Sequence, residues 1–218
     1  MISNLKKYWR NEYVQTAVVI GLVALFVFGF WYGLQLALNT PYPALAVISG
    51  SMCVPYNGAC DGWSHIFSPT LHIGDLIIVQ GVKPQELNAH YPESDIIVFK
   101  KPSDPAELIV HRIVAVSEIN GTLYFRTKGD GNSHVKWPNM PSPLEYDPWD
   151  TNGIPGIRED YVVGKVIMRI PWLGHIVQFM RNSIGLPIII ALIILLVILE
   201  FIVPLFRGKR NQYTQPSA

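Results

Sequence analysis

Charge and cysteine are both scarce in this chain. Asp, Glu, Lys and Arg make up 15% of its 218 residues, against about 25% in ordinary soluble domains. Two cysteines exclude a disulfide-dense mini-scaffold and a four-cysteine zinc ribbon. A net charge of +1, with no basic stripe on the middle of the chain, excludes a nucleic-acid-binding face, so no nucleic-acid partner is expected. No internal repeat is present, which removes solenoids and propellers. What remains is apolar: half of the residues are hydrophobic, and they are unevenly placed.

From Val14 to Leu38 no residue is charged, and Ala17–Leu34 is almost wholly apolar. Such a run is long enough to cross a bilayer as a helix, with Trp31 and Tyr32 near its far end, where amphipathic rings favour the interface. A second apolar run extends from Ile184 to about Phe206, interrupted by Pro187, Glu200 and Pro204. Lys6, Lys7 and Arg10 precede the first run, and Arg207, Lys209 and Arg210 follow the second. Cytoplasmic segments collect such charge. The expected organisation is therefore a cytoplasmic segment 1–13, a transmembrane helix 14–38, an extracytoplasmic domain 39–181, a transmembrane helix 182–206 and a cytoplasmic tail 207–218. That makes a two-pass protein of the cell membrane with the lipid bilayer as a partner. Ala44-Leu45-Ala46 resembles a small-x-small cleavage site, but the apolar core before it is longer than a cleavable signal's 7–15 residues, which favours a retained anchor.

The middle of the chain reads as strands. Ala44–Ile48, Asp75–Gln80, Asp95–Lys100, Glu107–Glu118, Thr122–Lys128 and Tyr161–Met168 are short, β-branched and bounded by Gly, Pro or charge. Asn120-Gly121 between two of them is a strong hairpin signal, and Asn120-Gly121-Thr122 is also an optional glycosylation sequon. A two-residue turn there sets Val116 opposite Phe125 and, if the register continues, Ile113 opposite Lys128 and His111 opposite Asp130. Cys53–Ser68, holding both cysteines, reads as an inserted loop closed by a Cys53–Cys60 disulfide. A zinc site from these cysteines with His65 and His72 matches no standard spacing, and neither metal nor other cofactor is expected. Residues 129–160 form a long irregular excursion, a length that is commonly functional.

Five short stretches then recur in a telling order: Ser49-Gly50-Ser51-Met52 after the first span, Ser68-Pro69-Thr70-Leu71 with Gly74-Asp75, Asp95-Ile96-Ile97-Val98-Phe99, Val110-His111-Arg112-Ile113, and Thr127-Lys128-Gly129-Asp130-Gly131-Asn132. Over about residues 41–170 these resemble the type I signal peptidases. The histidine at 111, where the bacterial branch has lysine, is similar to the archaeal and endoplasmic-reticulum branch. The resemblance implies a mainly β, signal-peptidase-like sheet or barrel catalytic domain with two flanking transmembrane α-helices. It also implies a serine endopeptidase that cleaves signal peptides from exported preproteins beside a protein-translocation channel. Ser51 would be the nucleophile and His111 its general base, because a hydroxyl needs a neighbour to take its proton. The Ser51 N–H with the Ser49 hydroxyl would meet the oxyanion, and Met52 would line the substrate site. Lys128 would donate a hydrogen bond rather than act as base.

Two departures stand out. The family's Met-x-Pro-Thr is split here, with sixteen residues between Met52 and Pro69. The family's aspartate about six residues past the last box falls on Lys136. With 133–146 read as an insertion, Asp147 becomes the orienting carboxylate, ahead of Asp150, while Asp130 is either that group or its close supporter. Substrate would join an exposed sheet edge, for which Val47–Ser49 and Asp75–Val79 are candidates. The rival reading is a non-catalytic, membrane-anchored extracytoplasmic β module for binding or sensing.

Overall fold

The computed structural model describes residues 12–54, 60 and 70–212; the remainder of the cysteine-bearing insertion lies outside the described residues. Helix α1, Glu12–Ala37, is 26 residues long, about 39 Å at 1.5 Å per residue. Seven antiparallel strands follow in the spatial order β1-β2-β9-β3-β4-β5-β8. They are β1 (Ala44–Ala46), β2 (Leu76–Gln80), β3 (Ile96–Lys101), β4 (Asp104–Ile119), β5 (Thr122–Lys128), β8 (Ile157–Arg158) and β9 (Val162–Ile170), and a small ribbon of β6 (Asp150–Thr151) and β7 (Ile154–Pro155) stands beside them. The chain closes with α2, Leu173–Arg181, and α3, Gly185–Gln212.

Among the described residues, Val14–Ala37 is by itself long and apolar enough to cross a membrane. A second candidate exists only if Leu173–Arg181 and Gly185–Leu196, bent by 90°, are taken together. Pro187 sits in the first turn of α3, where its missing N–H costs no intrahelical bond, and the helix runs on through Pro204.

The sheet is covered on both faces, which explains the unbroken apolar run in β3. Val98 packs with Val47, Met52, Leu71, Ile77 and Val79, whereas its neighbours Ile97 and Phe99 pack with Ile113, Phe125 and Ile157 on the other side. Strands buried on both faces lose the usual alternation of apolar and polar residues. β2 keeps it, with only Ile77 and Val79 fully buried.

The hairpin between β4 and β5 turns at Asn120 (φ 53°) and Gly121 (φ 76°), the two left-handed positions of a type I′ turn. Ile119 opposes Thr122 and Val116 opposes Phe125, as the turn requires. The register then slips by one around Val114, so that Arg112, not Ile113, faces Lys128. This bulge overturns the expected juxtaposition of His111 with Asp130. Substrate-edge expectations are corrected as well: β2 is paired with β1 on one side and β9 on the other, so Asp75–Val79 offers no open edge.

Candidate active site

Ser51 lies in a tight turn closed by the Cys53 N–H donating to the Gly50 carbonyl at 3.0 Å. Behind it Met52 is buried in the core, which fixes the turn to the sheet. A disulfide joins Cys53 to Cys60. The Gly129-Asp130-Gly131 segment comes in close against this turn, and the Gly131 N–H donates to the Ser51 carbonyl at 2.9 Å. A Cβ on Gly131 would stand 2.0 Å from the Cys53 carbonyl oxygen, and one on Gly129 would stand 2.5 Å from the Ser51 carbonyl oxygen. Two backbones approach here at a distance that no side chain permits. Gly131→Ala is therefore expected to cost about 3 kcal/mol, the upper end for overpacking, and to displace the Ser51 turn. Gly121→Ala, in open space, meets only the left-handed backbone penalty of about 1–2 kcal/mol. Thermal melts of the two variants check this.

His111, on β4, points its Nε2 at the Ser51 hydroxyl, 2.9 Å away. Its Nδ1 lies 2.5 Å from Asp147 Oδ2. With the ring proton on Nδ1 donated to the carboxylate, the Nε2 lone pair is left to accept from Ser51. Asp147 is itself held twice: its N–H donates to the Thr127 carbonyl and its Oδ2 accepts from the Thr127 hydroxyl, both at 2.9 Å. His111 and Asp147 are buried, while Ser51 is half-buried and reachable. The Ser49 hydroxyl lies 3.3 Å from that of Ser51. Asp150 is elsewhere, in β6, where its side chain accepts from the Gly153 N–H.

Asp130 does not join this chain of bonds. It is bound instead by Arg112, whose Nε and Nη2 donate to its two carboxylate oxygens at 2.8 and 2.9 Å. Burial pushes the Asp130 carboxyl up, and the guanidinium pulls it back. Arg112 also donates to the Ser94 carbonyl at 2.8 Å and lies over the Trp137 ring. Removing one partner of such a buried pair strands the other, so Arg112→Met is expected to cost about 3–5 kcal/mol, read from denaturant unfolding.

Lys128 is buried, and burial pushes its ammonium down. Its Nζ nevertheless donates to three carbonyls, those of Gly129, Asn132 and Val135. Three acceptors consume the three protons of an ammonium, which is the arrangement of an anchor for the 129–147 loop and not of a proton acceptor. Glu145 ties the same loop by accepting from the Val135 and Ser142 N–H groups. The hydrogen-bond donation expected of Lys128 is thus seen, with these carbonyls as its acceptors; Thr127 and Arg112 were not singled out from sequence, although both lie inside the quoted boxes.

Comparison with known proteins finds no matching family model. The catalytic subunit of the human signal peptidase complex, SEC11C, is 27% identical over 133 residues, covering 61% of this chain and 59% of that protein. SEC11 of Schizophyllum commune is 29% identical over 161 residues, 66% of this chain and 68% of its own. SEC11 of Lachancea thermotolerans reaches 30% over 159 residues, 72% of this chain and 76% of the relative. The chain belongs to the SEC11-type signal peptidase family. It spans about 59% of the length of the mammalian relatives it matches.

In this SEC11-type chain, Ser51 and His111 open onto a groove of about 670 Å³. One wall is Leu45–Ser49, the other Ala106–Val110. Among the described residues, neither has a partner strand on its groove side. Val47 spends its N–H and C=O on Asp75 and Gly74, so the backbone of Ile48, 74% exposed, faces the other way. On β4, the Ile113 N–H donates to the Asp95 carbonyl on the β3 side; by alternation Leu108 and Val110 turn their backbone groups away from β3. β5 ends opposite Arg112 and does not reach them. Sequence reasoning found the first wall and missed the second.

Proposed function

We propose that this protein is a membrane-bound serine endopeptidase that removes signal peptides from preproteins, with Ser51 as nucleophile, His111 as general base and Asp147 as its orienting carboxylate. The observation that carries this reading is the continuous bond chain Ser51 Oγ, His111 Nε2, His111 Nδ1, Asp147 Oδ2, at 2.9 and 2.5 Å, at the floor of a groove with two open strand edges.

The chemistry follows from that geometry. Ser51 Oγ attacks the scissile carbonyl carbon as its proton passes to His111 Nε2. Asp147 stabilises the imidazolium that forms without taking the proton itself. The Ser51 N–H and the Ser49 hydroxyl face the developing oxyanion. His111 then protonates the leaving amine, the C–N bond breaks, and an ester to Ser51 remains. Water, losing a proton to His111, attacks this ester and frees Ser51. Asp130 supports the site from behind through Arg112 and takes no part in proton transfer. Met52 fixes the turn and lines the groove.

The substrate enters extended, bonded to Ile48 on one side and to Leu108 and Val110 on the other, as an added strand. The family resemblance implies small side chains in such a strand where it crosses the Ser51 turn. α1 and α3 are the two spans, residues 39–181 lie on the extracytoplasmic side, and both basic ends are cytoplasmic. The relatives' name, catalytic subunit of a signal peptidase complex, supports action alongside other subunits.

The test is cleavage of a preprotein by the full chain in proteoliposomes, with the new N-terminus sequenced. A single cut just after small residues beyond the apolar segment is expected. An uncut preprotein, or cuts scattered through the mature part, would overturn the reading.

A further inference from the structure

The face of α2 that points away from the sheet is matched to a specific surface. Leu173, Ile176, Phe179 and Met180 are all exposed, between 39% and 57%. At 100° per residue they share an arc of about 120°, and Trp172 extends it at the N-terminal end. The opposite side of the helix is committed to the protein. A Cβ on Gly174 would meet the Asp75 carbonyl oxygen at 2.3 Å, and Gln178 Nε2 donates to the Val47 carbonyl at 2.8 Å. Arg181, exposed, ends the helix.

The orientation of this arc is set by the neighbouring helix. α2 and α3 meet at 90°, and α3 begins with the uncharged run Gly185–Leu199. If α3 runs along the membrane normal, α2 lies in the membrane plane. The other apolar helix agrees. The Gly81 N–H, just past one end of β2, donates to the Leu38 carbonyl at the exit of α1, while α2 packs against Gly74 and Asp75 at the other end. β2, about 17 Å long, is thus held between the exit of α1 at one end and α2 at the other.

We infer that α2 is an interfacial helix whose Leu173, Ile176, Phe179 and Met180 are seated in the lipid headgroup–acyl boundary. The partner is the bilayer itself. Through Gln178 and Gly174 the helix holds the groove wall at Val47 and the β2 end at Asp75, so lipid contact sets the height of the substrate edge above the membrane. This inference rests on the two-span reading proposed above.

The test uses the full chain in phosphatidylcholine and phosphatidylglycerol vesicles. Its native cysteines are paired with each other, so one introduced thiol can be labelled uniquely with an environment-sensitive fluorophore. Labels go at Phe179→Cys on the arc, at Ile193→Cys in α3, and at Leu144→Cys, which is 97% exposed. The label at 179 should be blue-shifted and quenched several-fold more by shallow spin-labelled lipid than by aqueous iodide, that at 193 by deep spin-labelled lipid, and that at 144 by iodide alone. If 193 is lipid-quenched while 179 is quenched by iodide like 144, or is shielded from both quenchers by protein, α2 is not interfacial and only this inference falls. If 193 also escapes lipid quenching, the two-span reading fails and takes the inference with it. None of these readouts requires activity.

Discussion

Ser51→Ala should abolish preprotein cleavage, by about 10⁴-fold or more in kcat, while leaving the protein as stable as before. The two halves of this expectation have separate causes. Among the described residues, the Ser51 hydroxyl bonds groups of the site, His111 Nε2 and the Ser49 hydroxyl, and it is not part of either core cluster. What fixes the turn is backbone: the Cys53 N–H to Gly50, the Gly131 N–H to Ser51, and buried Met52. Alanine keeps all three. A turn serine in a binding module would lose nothing in function by this change, so the same variant separates a protease from a non-catalytic module. Circular dichroism melts and a single-turnover cleavage assay on the same preparation check it.

Asp147→Asn should lower kcat by about 10³–10⁴-fold with little change in KM. The carboxylate binds the Nδ1 side of His111 and is absent from the lining of the groove, so it touches the imidazole and not the peptide. An amide at 147 still satisfies Thr127 but can present its NH₂ to Nδ1, which selects the wrong tautomer and removes the acceptor at Nε2. Asp130→Asn should give the opposite pattern. It breaks the bidentate pair with buried Arg112 and should cost about 3–5 kcal/mol of stability, with the activity of the molecules that remain folded close to that of the parent. Steady-state kinetics and denaturant unfolding on both variants distinguish the two carboxylates.

Why sequence alone left these carboxylates open is visible in one residue. Asn120-Gly121 defined the turn, and the first five pairs follow from it. Val114 is an ordinary β-branched strand residue, and nothing in its type announces the bulge that moves Arg112 into the place opposite Lys128 expected for Ile113, from which its side chain reaches Asp130. The loop carrying Asp147 posed a different difficulty. Its path is set by the buried ammonium of Lys128 collecting the Gly129, Asn132 and Val135 carbonyls, a tertiary arrangement without local signature. Asp147 was reached instead through the order of the five boxes. The second groove wall was closer to legible. β4 runs for 16 residues and β5 for 7, so β5 could not cover the stretch of β4 before Arg112. The apolar helices were read from charge-free length, whereas the 90° break ahead of α3 comes from the Asn182–Ile184 connection, which composition does not reveal.

The central claim is that Ser51, activated by His111, is the atom that attacks substrate. A peptide with small residues before a terminal phosphonate electrophile, incubated with the full chain in proteoliposomes, reads this directly by peptide mass mapping. Attachment to Ser51 is expected, with the rate of attachment collapsing in His111→Ala. Attachment at another residue, or attachment to Ser51 at an undiminished rate without His111, would contradict it.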